Sequence, residues 1–592
     1  MIKNVMLLSM VFVCISCSQV PEKKDISEKP NVLLIITDDQ GYGDLGYHGN
    51  PDIITPGLDQ LASESVRFTN FYVCPVCAPT RSTILTGRYH PRTGVYDTYN
   101  GGAIMATEEL TIAEILRENG YATGIFGKWH LGDNYPFRPE DQGFTTSLIH
   151  PGGGMGQVAD IYNFFRGDSS YFDPVLLENG KKSQKRGYCS DIFANGAINF
   201  IRKHKNEPFF AYLSFNAPHT PLQVPEEYYA MYKNIEFDTS KYAIKGHPIN
   251  QMDSNQQEAA RKVYAMVSNI DDNINQLFWE LDNLGLRKNT LVIFLTDNGP
   301  QQIRYTAGLR GRKGNVYEGG IRVPFFMDIP GEQFQDKDVQ ISGAHIDLLP
   351  TILEYCELDL PENVELDGKS LWPVIRGDEV DWKDRALFFH WQRGMPEPYQ
   401  NIAVRKGDYK LVGKTEYTAS AEDLELYNIK EDPFEQYNLI EDKLEKAREL
   451  KADFDSYYAS IIHNNNLNPQ RIHLDGPDEY PVILNRNDAK GPPGIWAQDR
   501  IYAYWAVRVG KQALYNMNFV FRDNIPGEGK MLMKVGPVQR TIDFGDTTSN
   551  SIQMRNVPLL EGDFLFDAWF LYRGETYLPF YVEVTSQPDS EL

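Results

Sequence analysis

The sequence predicts an α/β fold with a large mixed, mostly parallel sheet sandwiched by helices, followed by smaller C-terminal modules. Two observations support this prediction. From residue 31 onward, short apolar runs typical of buried strands alternate with amphipathic helical segments, as they do in parallel sheets that helices cover on both faces. The chain also has 592 residues, and since one domain typically has ~100–200 residues, a main domain with further modules is expected.

The strands and helices of the main domain follow from their apolar patterns. Residues 31–36 are predicted to form the first strand, and residues 56–66 a helix. Thr111 and Glu114 have the spacing of a capping box, which predicts that a helix begins there. The later predicted elements are strands over residues 121–126, 209–215 and 290–295 and a long helix over residues 255–284.

The pattern changes beyond about Trp382 to short alternating strands and then a charged helix over residues 442–462, which predicts a smaller α+β subdomain. From Arg471 onward, strand-like runs separated by Gly and Pro, among them residues 577–584, predict a β-sandwich-like domain. The predicted segments are a signal peptide over residues 1–17, a tether over 18–29, a main α/β domain over 30–380, the α+β subdomain over 381–463 and a β-rich accessory domain over 470–592.

The composition excludes some classes of protein. The formal charge is -23 and the pI is near 5.0, which argues against an extended nucleic-acid surface because phosphate binding requires a basic face. A basic pocket for one small anion is compatible with this charge. The six cysteines are too few for a disulfide scaffold in so long a chain.

The N-terminus resembles an export signal. Lys3 precedes a mostly apolar run that is too short to cross a bilayer. Ile15-Ser16-Cys17 resembles a bacterial lipobox, although Cys14 departs from the usual Leu, and ordinary cleavage is the alternative. We expect an exported protein, either periplasmic or a lipoprotein at the outer membrane or cell surface, with a lipid anchor as its membrane contact.

Hard oxygen ligands follow two predicted strands. Asp38 and Asp39 come after the first strand, and Asp297 and Asn298 come after the strand over residues 290–295. Ligands bind beyond the carboxyl ends of strands in such sheets, and clustered carboxylates repel one another unless a divalent cation such as calcium or magnesium lies between them. The alternative is that each aspartate caps a helix or a turn.

Cationic side chains follow two other predicted strands. Lys128 and His130 come after one, and His219 comes after the next. Any of these residues alone would more often be solvated or packed in the core. Together with a metal they describe a site for a tetrahedral oxyanion, where positive charge offsets the negative charge of the transition state.

The candidate nucleophile lies in the segment over residues 74–88, which begins with the CxxC pair of Cys74 and Cys77. Such a pair alone could be a redox motif or half of a zinc site. The sequence has no second CxxC or nearby CxxH, and the flanking residues lack a compact thioredoxin-like unit. These observations argue against both alternatives.

Cys77-Ala78-Pro79-Thr80-Arg81, followed by Thr86-Gly87-Arg88, resembles the signature of the formylglycine-dependent (type I) sulfatases of the alkaline phosphatase superfamily. Thr80 stands where Ser is commoner. The resemblance covers about residues 30–460 and implies an alkaline-phosphatase-like fold. Its further blocks, in family order, are Asp38-Asp39-Gln40-Gly41, Gly127-Lys128-Trp129-His130-Leu131-Gly132, Ala217-Pro218-His219, Thr296-Asp297-Asn298-Gly299, Gly311-Arg312-Lys313-Gly314 and Glu318-Gly319-Gly320-Ile321-Arg322-Val323-Pro324.

The resemblance implies a cofactor derived from the chain itself. Cys77 would be oxidised by a formylglycine-generating maturation enzyme to formylglycine (3-oxoalanine), whose hydrated form supplies the nucleophilic oxygen. Asp38, Asp39, Asp297 and Asn298 would hold a calcium ion, with magnesium as the alternative.

The resemblance also implies roles for the cationic residues. Arg81 and Lys128 would orient and neutralise the oxygens of the formylglycine and the sulfate. His130 would be the base that releases sulfate. His219 and Lys313 would contact the sulfate and the bridging oxygen, and one of them would protonate the leaving alcohol.

We therefore expect an exported bacterial (Bacteroidetes-like) sulfatase that hydrolyses an O-sulfate ester of a sulfated mono-, oligo- or polysaccharide. One alternative is a phosphoester or phosphonate hydrolase of the same superfamily, although the sequence shows no second set of metal ligands. The other is a surface glycan-binding protein that acts through its C-terminal β-domain. Candidate specificity residues are His390-Trp391-Gln392-Arg393, whose aromatic face and cations suit an acidic sugar and for which a packing role is the alternative. His90, Arg92 and Asn100 are weaker candidates.

Overall fold

The computed structural model describes residues 29–242, 251–362, 364–382, 385–414, 417–476 and 481–587. The predicted signal peptide, with Cys17, and nearly all of the predicted tether lie outside these ranges. None of the helices in the described ranges has the length and apolar character needed to cross a membrane. Cys74, Cys77, Cys189 and Cys356 are not in disulfide bonds within the described ranges.

The described part of the main domain forms one large mixed sheet. Its order is β10-β2-β9-β8-β1-β7-β3-β4-β5-β6, with the bounds given at the end of this paragraph. The central strands β8, β1, β7, β3 and β4 are parallel, whereas β9 and β5 are antiparallel to their neighbours. The strands are β1 (Asn31–Thr37), β2 (Val66–Tyr72), β3 (Ala122–Lys128), β4 (Thr146–His150), β5 (Val175–Glu178), β6 (Lys181–Gln184), β7 (Phe209–Ser214), β8 (Thr290–Thr296), β9 (Phe325–Asp328) and β10 (Lys337–Ala344).

Helices cover both faces of this sheet. Successive side chains of a strand point to opposite faces, and in β1 Leu34 packs into one apolar core while Leu33 and Ile35 pack into the other. This double burial explains why the strand is a continuous apolar run. The helices are α1 (Pro56–Glu64), α2 (Cys77–Thr86), α3 (Ile112–Glu118), α4 (Cys189–Lys203), α5 (Glu226–Tyr232), α6 (Ser254–Asn283), α7 (Glu318–Ile321), α8 (Leu348–Tyr355) and α9 (Trp372–Arg376).

The smaller subdomain is an antiparallel sheet packed against one helix. The sheet has the order β11-β12-β13-β14, and its core includes Tyr72 and Tyr89 from the main domain. It is therefore joined to the main domain by shared apolar packing. Its elements are β11 (Ala386–His390), β12 (Ile402–Lys406), β13 (Tyr409–Gly413), β14 (Glu425–Asn428) and α10 (Leu444–Ile461).

The C-terminal region forms two sheets that enclose one apolar core, which confirms the predicted β-sandwich-like domain. One sheet has the order β15-β17-β22-β19-β20, with β23 paired to β22, and the other has the order β16-β24-β18-β21. Ile104 and Phe137 of the main domain belong to the same core. The strands are β15 (Ile472–His473), β16 (Val482–Asn485), β17 (Tyr504–Val509), β18 (Ala513–Val520), β19 (Gly529–Val535), β20 (Val538–Phe544), β21 (Ser551–Leu559), β22 (Gly562–Tyr572), β23 (Glu575–Tyr577) and β24 (Tyr581–Gln587).

Two sequence predictions are wrong in detail. The helix predicted over residues 56–66 ends at Glu64, and Val66 begins β2, which pairs with β9 and β10. The strand predicted over residues 577–584 is two strands, because Pro579 falls between them and has no N–H to donate to a ladder. The capping box is confirmed, since Thr111 Oγ1 accepts from the Glu114 N–H at 3.2 Å.

Candidate active site

The predicted site residues meet at one edge of the main sheet. In the sheet register, Thr37 at the end of β1 lies beside Thr296 at the end of β8, and Gly127 of β3 lies beside Ser214 of β7. The residues that follow these strands therefore emerge at the same level. They are Asp38, Asp39, His130, His219, Asp297 and Asn298, and Lys128, the last residue of β3, lies beside them.

Cys77 is the first residue of α2, next to this edge. Its Sγ lies within 4.8 Å of carboxylate oxygens of Asp38 and Asp297 and 3.5 Å from Nδ1 of His130. The side chain is 2% exposed. The structure thus brings the candidate nucleophile together with two predicted metal ligands and the predicted base.

The four predicted metal ligands form a fully buried cluster. Asn298 Nδ2 donates to Asp39 Oδ1 at 2.8 Å, and the Asp39 N–H donates to Asp297 Oδ1 at 3.2 Å. Among the described residues, Asp38 Oδ1, Asp39 Oδ2 and Asn298 Oδ1 have no hydrogen-bond partner. Buried polar atoms are normally paired, and calcium and magnesium take carboxylate and amide oxygens as ligands. The residues present therefore fit a divalent cation.

The positive charges around the cluster stabilise the ionised form of some of its carboxylates more than that of others. Lys128 Nζ lies 2.5 Å from Asp38 Oδ2, and Lys313 Nζ lies 2.6 Å from Asp39 Oδ1. Burial opposes ionisation of Asp38, but Lys128 and the other nearby cations hold its pKa below the ordinary value. By contrast, burial and repulsion from Asp38 raise the pKa of Asp297 well above the ordinary value. A cation bound among these oxygens would favour the ionised carboxylates.

Arg81 is buried four residues after Cys77 in α2 and serves as a hub of hydrogen bonds. Its Nε and Nη2 donate to Asp297 Oδ2 at 3.2 and 2.8 Å, and its Nη1 donates to Ser214 Oγ at 2.5 Å and to the Lys128 carbonyl at 3.3 Å. The guanidinium therefore ties the nucleophile helix to the ends of three strands. Burial opposes the charge of Arg81, but Asp297 and the other acidic groups nearby together raise its pKa above the ordinary value, so the residue stays charged.

His130 is held in one tautomer. Its Nε2 lies 2.9 Å from the Thr98 carbonyl, and because a carbonyl only accepts, Nε2 carries the proton. Nδ1 then presents its lone pair to Cys77. Burial and the nearby charge of Lys128 lower the pKa of His130 well below 6.5, so the ring is neutral at neutral pH. This is the protonation state that a general base requires.

His219 lies next to Asp38 and Asp39 in the acidic cluster. Its Nδ1 donates to the Thr220 carbonyl at 2.7 Å, and its Nε2 lies 3.9 Å from Asp39 Oδ2. Burial and the charge of Lys313 lower the pKa of His219 to about 4. His219 and Lys313 thus both face Asp39, and both lie beside the predicted metal ligands.

Sequence reasoning missed several residues that support the site. Arg304 makes a fully buried ion pair with Asp44, and its Nη2 also donates to the Asp39 carbonyl at 2.6 Å. Asp39 has a φ of 67°, in the left-handed region that few residues other than glycine adopt, and the contact helps to fix this conformation. The proximity of Asp44 to the Asp38-Asp39 pair was the available signal. The Thr98 carbonyl gave no signal, because any residue supplies one.

The loop over residues 96–102 joins this site to the C-terminal sandwich. Asn100 and Gly491 exchange two hydrogen bonds, since Asn100 Nδ2 donates to the Gly491 carbonyl at 3.2 Å and the Gly491 N–H donates to Asn100 Oδ1 at 2.9 Å. The Gly101 N–H donates to the Asn487 carbonyl at 2.9 Å. The accessory domain therefore packs directly against the loop whose Thr98 holds His130.

Two of the weaker specificity candidates support the fold instead. His90 is buried, with its ring nitrogens 2.7 Å from the Val95 carbonyl and 3.0 Å from the His390 carbonyl. Arg92 Nε pairs with Asp367 at 3.1 Å. Neither side chain is brought to the acidic cluster.

The family models and the individual relatives that match this chain agree with one another. Residues 30–358 match the sulfatase family, and residues 312–458 match the C-terminal region of N-sulphoglucosamine sulphohydrolase. Human arylsulfatase A is 32% identical over 65% of this chain and 75% of its own length, and human N-acetylgalactosamine-6-sulfatase is 29% identical over 61% and 68%.

Solved structures share the fold. The crystal structure of Ps i-CgsB in complex with k-i-k-neocarrahexaose superposes with a TM-score of 0.63 at 29% identity, covering 74% of this chain and 94% of that one. A phosphonate monoester hydrolase of Agrobacterium radiobacter superposes with a TM-score of 0.53 at 20% identity, covering 73% and 95%. The second likeness shows the fold alone.

Proposed function

Because the chain belongs to the sulfatase family and is a sulfuric ester hydrolase, we propose that it hydrolyses an O-sulfate ester of a sulfated carbohydrate to an alcohol and sulfate. The observation that carries the proposal is the convergence at Cys77. Its Sγ lies among carboxylate oxygens of the acidic cluster and 3.5 Å from His130. The candidate nucleophile, the candidate metal ligands and a neutral candidate base therefore lie next to one another.

Two groups absent from the described atoms complete this chemistry. Formylglycine, formed from Cys77 by a maturation enzyme, supplies the nucleophilic oxygen. Asp38, Asp39, Asp297 and Asn298 would hold a calcium ion, which supplies Lewis acidity toward a sulfate oxygen. The support for the metal is the three buried oxygens without partners.

The chain's own residues bind and orient the ester and move the protons. Lys128 and Lys313 place positive charge on either side of the acidic cluster, where it attracts the sulfate and offsets charge that develops in the transition state. His130 accepts a proton at Nδ1, because Nε2 is engaged with Thr98. Lys313 Nζ, which carries a proton, delivers it to the leaving alcohol, or His219 Nε2 does so once the negative charge of the bound sulfate has raised its pKa and protonated it.

Arg81 acts mainly by positioning. Its donors are engaged with Asp297, Ser214 and the Lys128 carbonyl, so it fixes the distance between the nucleophile helix and the acidic cluster. Preorganised contacts of this kind need no rearrangement at the moment of reaction.

The carbohydrate substrate and the location of the protein are further parts of the proposal. Human N-acetylgalactosamine-6-sulfatase is named for a sulfated sugar, and the structure of Ps i-CgsB contains k-i-k-neocarrahexaose. Lys3, the apolar run that follows it and Cys17 support export of a bacterial protein to the periplasm or to the cell surface as a lipoprotein.

The test is sulfate release by protein in which mass spectrometry has confirmed formylglycine at position 77. The panel contains mono-sulfated sugars that differ in the sugar and in the sulfated carbon, together with sulfated oligosaccharides and a phosphonate monoester. Sulfate release from a sugar supports the proposal and identifies the position. Turnover of the phosphonate without any sulfate release would overturn it in favour of phosphonate hydrolysis.

A further inference from the structure

The segment 391–393 of the smaller subdomain borders the candidate site on two sides. Asn401 Nδ2 donates to the carbonyls of Gly314 and Trp391 at 2.8 and 2.6 Å, which fixes Trp391 beside the turn that carries Lys313. At the other end of the segment, Arg393 Nη1 donates to Thr98 Oγ1 at 2.8 Å. The segment therefore lies between the residues that hold His130 and those that carry Lys313.

Arg393 lies against two aromatic rings. Its guanidinium carbon is 4.8 Å from the centroid of the Tyr99 ring and 5.0 Å from that of the Trp391 ring. Both aromatic side chains are half-buried, whereas the side chain of Arg393 is 58% exposed. A cation and two aromatic faces thus form an open patch next to the site.

The guanidinium is fixed on one side and open on the other. Nη1 pairs with Asp97 Oδ1 at 3.0 Å as well as with Thr98. Asp97 is 1% exposed and also accepts from the N–H groups of Gly394 and Thr98 at 2.8 and 2.7 Å. Within the described ranges, Nε and Nη2 of Arg393 donate to no protein atom. These two donors are preorganised for a ligand, which reduces the entropy lost on binding.

The chemistry of this patch is selective. Two parallel N–H donors of a guanidinium match a carboxylate or a sulfate group in bidentate fashion, which an ammonium group does not reproduce. Aromatic faces provide apolar contact area for a sugar ring. In contrast, the acidic cluster of the main site is adapted to a cation.

We propose that Arg393, Tyr99 and Trp391 form a subsite for an anionic group, a carboxylate or a second sulfate, on the sugar unit next to the one that carries the scissile sulfate. This inference rests on the proposed function and narrows it, because it assigns the enzyme to polyanionic glycans. Arg393 is then a specificity-determining residue, and the smaller subdomain supplies part of the substrate pocket.

The test compares sulfated disaccharides that share the same scissile sulfate. The neighbouring sugar is neutral in one, carries a carboxylate in the second and carries a second sulfate in the third. In the Arg393→Gln enzyme, the ratio of kcat/KM on a doubly anionic disaccharide to that on the neutral-neighbour disaccharide falls about tenfold, the size expected for a charge-assisted hydrogen bond in a partly exposed site. The change appears in KM. Arg393→Lys restores part of the ratio.

Arg500→Gln is the matched control. Arg500 is 66% exposed, pairs with Glu575 at 3.1 Å and lies 5.6 Å from the Tyr577 ring centroid in the C-terminal sandwich. It therefore shares the environment of Arg393 but not its position. The expected ratio for this control equals that of the wild type.

Several outcomes separate this inference from the proposed function. If Arg393→Gln lowers kcat equally on all three disaccharides, the residue only positions Thr98 and His130, and the subsite is refuted. If the wild type releases sulfate but does not prefer an anionic neighbour, the subsite is also refuted while the proposed function stands. If the matured wild type releases sulfate from none of the panel of the preceding section, the proposed function itself fails. For each anionic disaccharide, the wild-type kcat/KM is divided by that on the neutral-neighbour disaccharide. The anionic disaccharide with the larger ratio carries the anion that Arg393 binds.

Discussion

Replacing Gly153 by alanine is expected to displace the candidate base. A Cβ atom at position 153 would lie 2.9 Å from both Cε1 and Nε2 of the His130 ring. Carbon atoms in favourable contact are ~3.5–4.0 Å apart, so the ring must move by at least about half an ångström. The Gly153 backbone is not in the left-handed region, and alanine itself therefore fits the local conformation.

The expected consequence is a loss in kcat. Moving the ring disturbs the 2.9 Å hydrogen bond to Thr98 and the 3.5 Å approach to Cys77. A misplacement of ~1 Å costs up to about 10²-fold in rate, and a general base contributes about 10²–10⁴-fold. We therefore expect kcat for sulfate release to fall between about 10- and 100-fold, with a thermal unfolding midpoint that shows a folded protein.

A double-mutant cycle with His130→Ala isolates this effect. If Gly153→Ala acts through the histidine, it lowers kcat in the wild-type background and has no further effect in the His130→Ala background. Gly152→Ala is the matched control in the same loop, since its Cβ meets Ala159 at 2.6 Å rather than His130. Its effect is expected to be the same in both backgrounds. A wild-type kcat for Gly153→Ala, or equal losses in both backgrounds, would refute the reasoning.

The remaining predictions concern the nucleophile, the metal and the buried histidines. Cys77→Ala abolishes sulfate release, because it removes the source of formylglycine. The thermal unfolding midpoint does not change, because only one buried atom is lost. Retained turnover would exclude Cys77 as the nucleophile. Asp297→Ala loses bound calcium in elemental analysis together with activity. It is destabilised by up to about 3 kcal/mol, because Arg81 loses its nearer carboxylate and keeps only Asp38 at 3.8 Å. A metal-free active variant would contradict the metal site. Burial outweighs the two carbonyls at the ring of His90, which favour its charged form, and lowers its pKa to about 4 in the folded state, against ~6.5 when unfolded. The stability present above pH ~6.5 is therefore lost as pH falls toward 4, with a slope of about 1.4 kcal/mol per pH unit. Urea unfolding of His90→Gln between pH 7 and 5 shows a correspondingly weaker pH dependence, and the same pH dependence in both proteins would show that the ring is charged in the folded state.

Much of the fold was predictable from local patterns. The strands β1, β7 and β8 are continuous apolar runs because both of their faces are buried, and such runs are distinct in any sequence. Strand β2 was missed because its run from Val66 to Tyr72 mixes Arg67, Thr69 and Asn70 with apolar residues. Its strand character depends on pairing with β9 and β10, which are far away in the sequence.

The sequence by itself predicted which side chains meet at the candidate site. Asp38 and Asp297 each follow a parallel strand. Parallel strands run in the same direction, so the carboxyl ends of these strands lie at the same edge of the sheet. The structure places these two residues beside Cys77. Residue type and position after a strand were sufficient for this prediction, because both are local properties of the chain.

Only the tertiary structure decided how these side chains are held and what surrounds them. The tautomer of His130 depends on the carbonyl of Thr98, and the open face of Arg393 depends on which of its donors Asp97 and Thr98 occupy. A side chain at position 153 is excluded by the ring of His130, which follows a different strand. These contacts join residues distant in the sequence, and backbone carbonyls and unfilled space have no residue type, so no local pattern encodes them.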